Sequence, residues 1–146
     1  MIIRDYRRED FDELQQLWQN LDMGGLERGD TPGIIEQCNR MGGRLLILED
    51  PVTGDIAGSS WLTFDGRRVF LHHFGVKRSY QGKGYGKMLA DASLRFVKQK
   101  GYQVKLEVHE DNRAARALYE KFGFSALSGY DVYIIRKVNE IGRGTE

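Results

Sequence analysis

Cysteine occurs once in these 146 residues, at Cys38. A lone cysteine makes no internal disulfide, which points to a reducing compartment and sets the cytoplasm as the expected location. Proline occurs twice, at Pro32 and Pro51, both in turn-like settings, so there is no proline-rich linker. No apolar run approaches the roughly 18 residues of a membrane span, and the first ten residues lack the apolar stretch of a signal peptide. Neither sign of charge dominates, with 22 Lys and Arg against 21 Asp and Glu. Nucleic-acid binders usually show a basic excess, so no nucleic-acid partner is expected. Three histidines and one cysteine show no metal-ligand spacing, and no metal is expected.

What is present is a globular composition, 40% apolar and 29% charged. It suits one domain over residues 1–138, followed by a polar tail over 139–146. Residues 2–6 read as a strand. Phe11, Leu14, Leu17, Trp18 and Leu21 recur at helical spacing. Thr31 with Pro32 opens a second helix that ends near Gly42 and Gly43. Residues 44–49, 56–64 and 69–76 read as an antiparallel meander of three strands. The longest helical pattern runs from 82 to 100, with Gly101 as its C-terminal cap. Residues 103–109 alternate as a strand, with Val104, Leu106 and Val108 on one face and Lys105, Glu107 and His109 on the other. Asp111 or Asn112 caps a further helix that stops at Gly123. Residues 124–127 and 130–137 read as two last strands. The crossover from 69–76 through the long helix to 103–109 favours a parallel pair, so the sheet is mixed.

The turn Gln81-Gly82-Lys83-Gly84-Tyr85-Gly86-Lys87 follows a strand and opens a helix. Free N–H groups and the positive end of the helix dipole meet there, and glycines allow close approach. The chemistry is that of a phosphate or pyrophosphate site; the plainer alternative is a glycine-rich turn without a ligand. The spacing fits neither the dinucleotide fingerprint nor the nucleotide P-loop, because G-x-G-x-G stands in place of G-x-G-x-x-G and Met88 follows Lys87.

Three segments resemble one family. They are the stretch from Val76 through Gln81-Gly82-Lys83-Gly84, then Leu106-Glu-Val-His-Glu-Asp-Asn112, then Ala115-x-x-Leu-Tyr-Glu-Lys-Phe-Gly-Phe124. In this order they resemble GNAT acetyltransferases, most closely the ribosomal-protein alanine N-acetyltransferase-like members. The resemblance is strong over 69–127 and rests on element order before that. It implies an α/β fold with a mixed, mostly antiparallel sheet of about seven strands, splayed at the middle and flanked by about four helices. It also implies an acetyl-CoA-dependent N-acetyltransferase. Backbone at Phe74, Gly75 and Val76 would hold pantetheine and the acetyl carbonyl, and the 81–87 turn the pyrophosphate. Relatives often carry Pro where Arg78 stands. Arg78 is either exposed or reaches the nucleotide 3′-phosphate.

Asn112 and Tyr119 lie seven apart, nearly two helical turns, and share a face. The resemblance assigns Asn112 to the pantetheine arm and Tyr119 to protonating the leaving thiolate. A phenol, with an unperturbed pKa of about 10, suits that task. Alternatively Tyr119 is a core aromatic and Asn112 a plain cap. Glu107 matches the family's general base, or else pairs with Lys105 or Lys98. The position used by histone-modifying relatives is Phe70 here. His72 is a second candidate base, with an unperturbed pKa of about 6.5. His73 points the other way unless a bulge intervenes. Cys38 has no histidine partner, so direct transfer in a ternary complex is the simpler route.

The expected acceptor is a primary amine, on a small molecule or a protein or peptide N-terminus. Asp22, Glu27, Asp30 and Glu36 either greet a cation or form a solvated loop. Tyr130 and Tyr133 either wall the acceptor site or pack the sheet. The edge near 130–137 permits a homodimer without requiring one. The rival function is a catalytically quiet acyl-CoA-binding regulatory module.

Overall fold

The computed structural model describes residues 1–144. The last two residues of the expected polar tail, 145 and 146, lie outside them. The elements are β1 (Ile2–Asp5), α1 (Phe11–Asn20), α2 (Pro32–Arg40), β2 (Arg44–Glu49), β3 (Ile56–Phe64), β4 (Val69–Val76), α3 (Tyr85–Lys100), β5 (Val104–Leu106) and α4 (Arg113–Lys121). The sheet order is β1-β2-β3-β4-β5. The first three pairings are antiparallel and β4–β5 is parallel.

The central strands are apolar on both faces, because helices cover both. Along β2, Leu45 and Ile47 join Phe11, Leu14, Leu17 and Trp18 of α1 and Ile35 of α2 in one core. Leu46 and Leu48 join Leu89 and Val97 of α3 and Tyr119 of α4 in the other. Full burial of such side chains stabilises by roughly 1.5–3 kcal/mol each, so the helices are held by these stripes. Local chemistry sets the ends. Thr31 Oγ1 accepts from the Ile34 amide at 3.2 Å, and Pro32 opens α2. Gly101 takes a left-handed conformation that closes α3.

The sheet has five strands among the described residues, not the expected seven. Residues 124–127 and 130–137 form no ladder. Their alternation is real, but a strand needs a neighbour, and the outer edge of β5 meets none. For the same reason the strand expected over 103–109 shrinks to Val104–Leu106. Past Leu106 neither side of the chain is paired. The expected tail also carries structure, a short 3-10 turn at Val138–Glu140.

Candidate active site

The site begins with a bulge in β4. Between the pairs Ser59↔Gly75 and Trp61↔His72, β3 advances two residues while β4 advances three. His73 absorbs the extra residue at φ +44°, an unusual conformation for a side chain branching into a ring. Its surroundings hold it there. Ser59 Oγ donates to the His73 carbonyl at 2.8 Å, and the Trp18 indole donates to Ser59 Oγ at 2.9 Å. The His73 ring lies edge-on to Trp18 at 4.5 Å, and its Nε2 is 2.8 Å from Asp30 Oδ2. Asp30 also accepts from the Gly25 amide at 2.7 Å. Backbone strain persists only where neighbours over-determine it, as they do here.

The bulge opens the sheet. Parallel pairing of β4 with β5 stops at Leu71↔Leu106, immediately before the bulge. Beyond it the β5-facing backbone of β4 has no ladder partner. The bulge also resets the alternation, so His72 and His73 both turn toward Trp61 on the α1–α2 side. Phe74 turns to the opposite face and meets the Tyr119 ring at 5.7 Å. Gly75 returns to the α1–α2 side, where a Cβ would lie 2.5 Å from Met23 Cε and 2.9 Å from Leu21 Cδ1. Only glycine lets the loop after α1 lie this close to β4.

The glycine-rich turn continues from Val76. Gln81 Nε2 donates to the Val76 carbonyl at 2.8 Å, bracing the end of β4. The side chain of Gln81 is thus committed to the backbone. Gly82 and Gly84 take φ +76° and +84°. Helix α3 starts at Tyr85, three residues later than its apolar pattern suggests, because Gly84 is a left-handed N-cap. None of the amides from 82 to 87 meets a backbone acceptor among the described residues. Lys83 Nζ lies 5.8 Å from the Tyr80 ring centre, and Lys83 and Lys87 are exposed. This cradle fits a pyrophosphate: free donors, two cations and no side chain in the way.

Tyr119 is buried on α4, between Phe74 and Phe124, each 5.7 Å away. Burial pushes its phenol up to about 12, and its hydroxyl makes no hydrogen bond among the described residues. Asn112 caps α4, its Oδ1 accepting from the Ala115 amide at 3.2 Å. Glu107 follows β5, exposed and without an ion pair among the described residues, so the pairing with Lys105 or Lys98 does not form. His72 Nε2 is 2.9 Å from Thr63 Oγ1, with one edge open to solvent. Partial desolvation and neighbouring His73 lower its pKa, against the pull of Glu107 and Asp30. Burial, with Asp30 nearby, raises the pKa of the Cys38 thiol, which keeps it a poor nucleophile.

Of the loop acids, Glu36 pairs with Arg8 at 2.7 Å and Asp30 with His73, so neither is free to greet a substrate. An open cleft of about 350 Å³ is lined by Leu17, Asn20, Leu21, Lys77, Arg78 and Ser79. Arg78 thus borders a cleft. Sequence reasoning missed Asn20 and Lys77, and it missed the His73–Asp30 tether. Two adjacent histidines in a strand were the available signal, since one must leave the alternation to share a face with the other.

The sheet thus opens beside a helix start whose free amides can receive an anion. The sequence model of the Acetyltransferase (GNAT) family matches residues 4–124, and the chain belongs to this family of acetyltransferases. Solved structures agree in fold. An acetyltransferase from Streptococcus agalactiae superposes with TM-score 0.75 at 22% identity, covering 92% of this chain and 90% of that one. A Trypanosoma brucei acetyltransferase gives 0.72 at 25% identity, covering 92% and 99%. Glucosamine-6-phosphate N-acetyltransferase from Arabidopsis thaliana gives 0.71 at 21% identity, covering 91% and 97%. The family uses acetyl-CoA as co-substrate. Among the described residues there is no cluster of metal-ligating side chains, and no helix is long and apolar enough to cross a membrane.

Proposed function

We propose that this acetyltransferase moves an acetyl group from acetyl-CoA to a primary amine by direct transfer in a ternary complex. When bound, acetyl-CoA supplies an activated thioester. The amides of Gly82, Lys83, Gly84, Tyr85, Gly86 and Lys87 hold its pyrophosphate, with the side chains of Lys83 and Lys87 adding charge. Gln81 keeps this turn in register with the end of β4. The unpaired backbone of Phe74, Gly75 and Val76 takes the pantetheine, and an N–H near Val76 faces the carbonyl oxygen as negative charge develops there. Asn112 keeps its cap while its amide nitrogen remains free for the pantetheine arm.

Glu107 removes a proton from the incoming ammonium, directly or through water. The amine nitrogen then bonds to the carbonyl carbon as the carbon–sulfur bond breaks, Tyr119 gives its proton to the departing thiolate, and the nitrogen loses its second proton to solvent as the amide forms. The departing thiolate, whose thiol has an ordinary pKa of about 8.5, is a weaker base than this phenolate, so the proton transfer is uphill by itself and is driven by its coupling to carbon–sulfur cleavage and amide formation. The tyrosinate regains a proton from solvent. Cys38 is a poor candidate for an acetyl-cysteine step, because burial and Asp30 keep its thiol protonated. The cytoplasm remains the expected compartment, on the strength of the single cysteine.

The observation that carries the reading is Tyr119 itself. Its ring packs on Phe74, at the strand that leaves β5, and its hydroxyl is unpartnered and firmly protonated. The experiment is steady-state kinetics of Tyr119→Phe on a panel of primary amines and N-terminal peptides, with acetyl-CoA affinity measured by calorimetry. Loss of turnover with unchanged affinity supports the assignment. Weakened binding with intact turnover overturns it.

A further inference from the structure

The cleft at the end of α1 carries two cations with no counter-ion. Lys77, Arg78, Ser79 and Asn20 supply its polar lining, and Leu17 and Leu21 its apolar side. None of these four polar side chains makes a hydrogen bond or ion pair among the described residues. No carboxylate is among the lining residues. Several other cations are spent: Arg4 on Asp10 and Glu49, Arg8 on Glu36, and Arg44 on Asp5. The carbonyl end of α1 offers at most about half a negative charge, so two full positive charges exceed what the helix dipole can absorb.

The segment that bears these cations is braced. The Ala57 carbonyl accepts the Lys77 amide at 2.7 Å, and the Lys77 carbonyl accepts the Tyr80 amide at 2.8 Å. The Tyr80 hydroxyl lies 3.1 Å from a carboxylate oxygen of both Asp50 and Asp55, which ties the turn Arg78–Tyr80 to the β2–β3 connection. A backbone held in this way has little freedom left to lose when a ligand arrives.

Position indicates what the cleft receives. Leu21 lines it and also packs over Gly75, where a Cβ would lie 2.9 Å from Leu21 Cδ1. Gly75 belongs to the strand segment assigned above to the thioester end of acetyl-CoA. The nucleotide end of that molecule lies beyond its pyrophosphate, away from Gly75. A ligand in the cleft therefore borders the transfer site on the acceptor's side. The cleft measures about 350 Å³. Ligand sites span roughly 300–1,000 Å³, so this one suits a small molecule rather than a protein surface. Two of the four loop acids, Asp30 and Glu36, are held by His73 and Arg8, which leaves the electrostatics here to the cations.

We propose that this cleft binds an acidic group of the acceptor, a carboxylate or a phosphate, so that the substrate is a small amine that also carries an anion. The inference rests on the reading of the protein as an acetyltransferase acting on primary amines. Arg78 offers its planar fork to two anion oxygens, and Lys77 adds a point charge. Asn20 and Ser79 supply neutral donors. Leu17 and Leu21 cover the carbon chain between acid and amine. An acceptor that is only cationic is repelled by the same two charges.

The test uses amines matched except for the acid: amino acids against their carboxamides, and amino-sugar phosphates against the amino sugars. With acetyl-CoA, kcat/KM should favour the acidic member of at least one pair by about 30-fold or more. The double variant Lys77→Met/Arg78→Met should bring that preference to within about threefold, while the uncharged member keeps its kcat/KM within about twofold and the circular dichroism is unchanged. Calorimetry with coenzyme A-bound protein reads the cleft without turnover. The preferred acidic compound should bind one per chain, and at least about tenfold more weakly to the double variant. If that binding and its loss are seen but no amine is acetylated, the transfer reading fails and the cleft stands. If amines are acetylated with equal kcat/KM across every pair, transfer stands and the cleft assignment is overturned. A preference that survives the double variant overturns it equally. So does a loss of acetyl-CoA affinity in the double variant that 3′-dephospho-acetyl-CoA reproduces on the wild type, since the cations would then serve the co-substrate's 3′-phosphate.

Discussion

His73 and Asp30 tie the bulge of β4 to the loop ahead of α2: Nε2 of one lies 2.8 Å from Oδ2 of the other, and both are largely buried. Asp30 also receives the Gly25 amide, so one carboxylate fixes a strand and a loop together. Gly24 lies so close to both side chains that a Cβ there would collide with them. The conformation that opens the sheet therefore depends on a residue over forty positions earlier.

Asp30→Ala should lower stability by about 1–3 kcal/mol at neutral pH, because it strips an acceptor from the His73 ring and the Gly25 amide. Denaturant melts would measure this. The pH dependence has a definite sign. Burial alone would raise the Asp30 pKa, but hydrogen bonds from His73 and Gly25 outweigh it and the net shift is downward. Its stabilisation is complete above the unfolded value of about 4 and is lost as pH falls through the lower folded value. Asp10 shifts in the same direction, so Asp30→Ala should reduce the acid-induced loss without abolishing it.

Ser59→Ala should cost about 2 kcal/mol, a large effect for one oxygen. It leaves the buried Trp18 indole N–H and the His73 carbonyl without partners. Chemical denaturation gives the stability change. If the bulge relaxes as well, KM for the acetyl donor should rise more than Ser59→Thr makes it rise, since threonine keeps the hydroxyl.

Tyr119→Phe should reduce kcat about 100-fold or more if the phenol is the acid, with acetyl-CoA affinity within twofold of wild type. A second readout is independent of catalysis. The folded pKa of about 12 exceeds the unfolded value of about 10, so stability is full below pH 10 and falls as pH rises toward 12. Tyr6 is also pushed up to about 12, so the variant should lose part of this alkaline transition and keep the rest. Thermal melts between pH 9 and pH 12 would register the difference.

Gly84→Val should weaken acetyl-CoA binding at least tenfold. Valine is poorly suited to φ +84°, and the distortion falls where the free amides converge. Calorimetry with acetyl-CoA, and with adenosine diphosphate as a shorter competitor, would measure it. Unchanged affinity for acetyl-CoA would remove the turn from the cofactor site.

Much of the fold was legible because its signals are local. The alternation through Val104, Lys105 and Leu106, the cap at Thr31 and Pro32, and the glycine that ends α3 each act within a few residues. The glycine-rich turn was legible for the same reason: its chemistry needs only a strand, three glycines and a helix start. The last strands failed for the opposite reason. Residues 130–137 have the right alternation, but alternation states only that a segment suits a pleated surface, not that one is within reach.

By itself, then, the sequence determined the order of the elements as far as α4 and the donor turn at the start of α3, because periodicity, capping and glycine placement are properties of neighbours along the chain. Only the tertiary structure decided that His73 leaves the alternation, that Asp30 is spent on holding it rather than greeting a substrate, and that β5 ends with a bare edge. Those outcomes depend on contacts between residues far apart in the chain, where packing and hydrogen-bond satisfaction outweigh local preference.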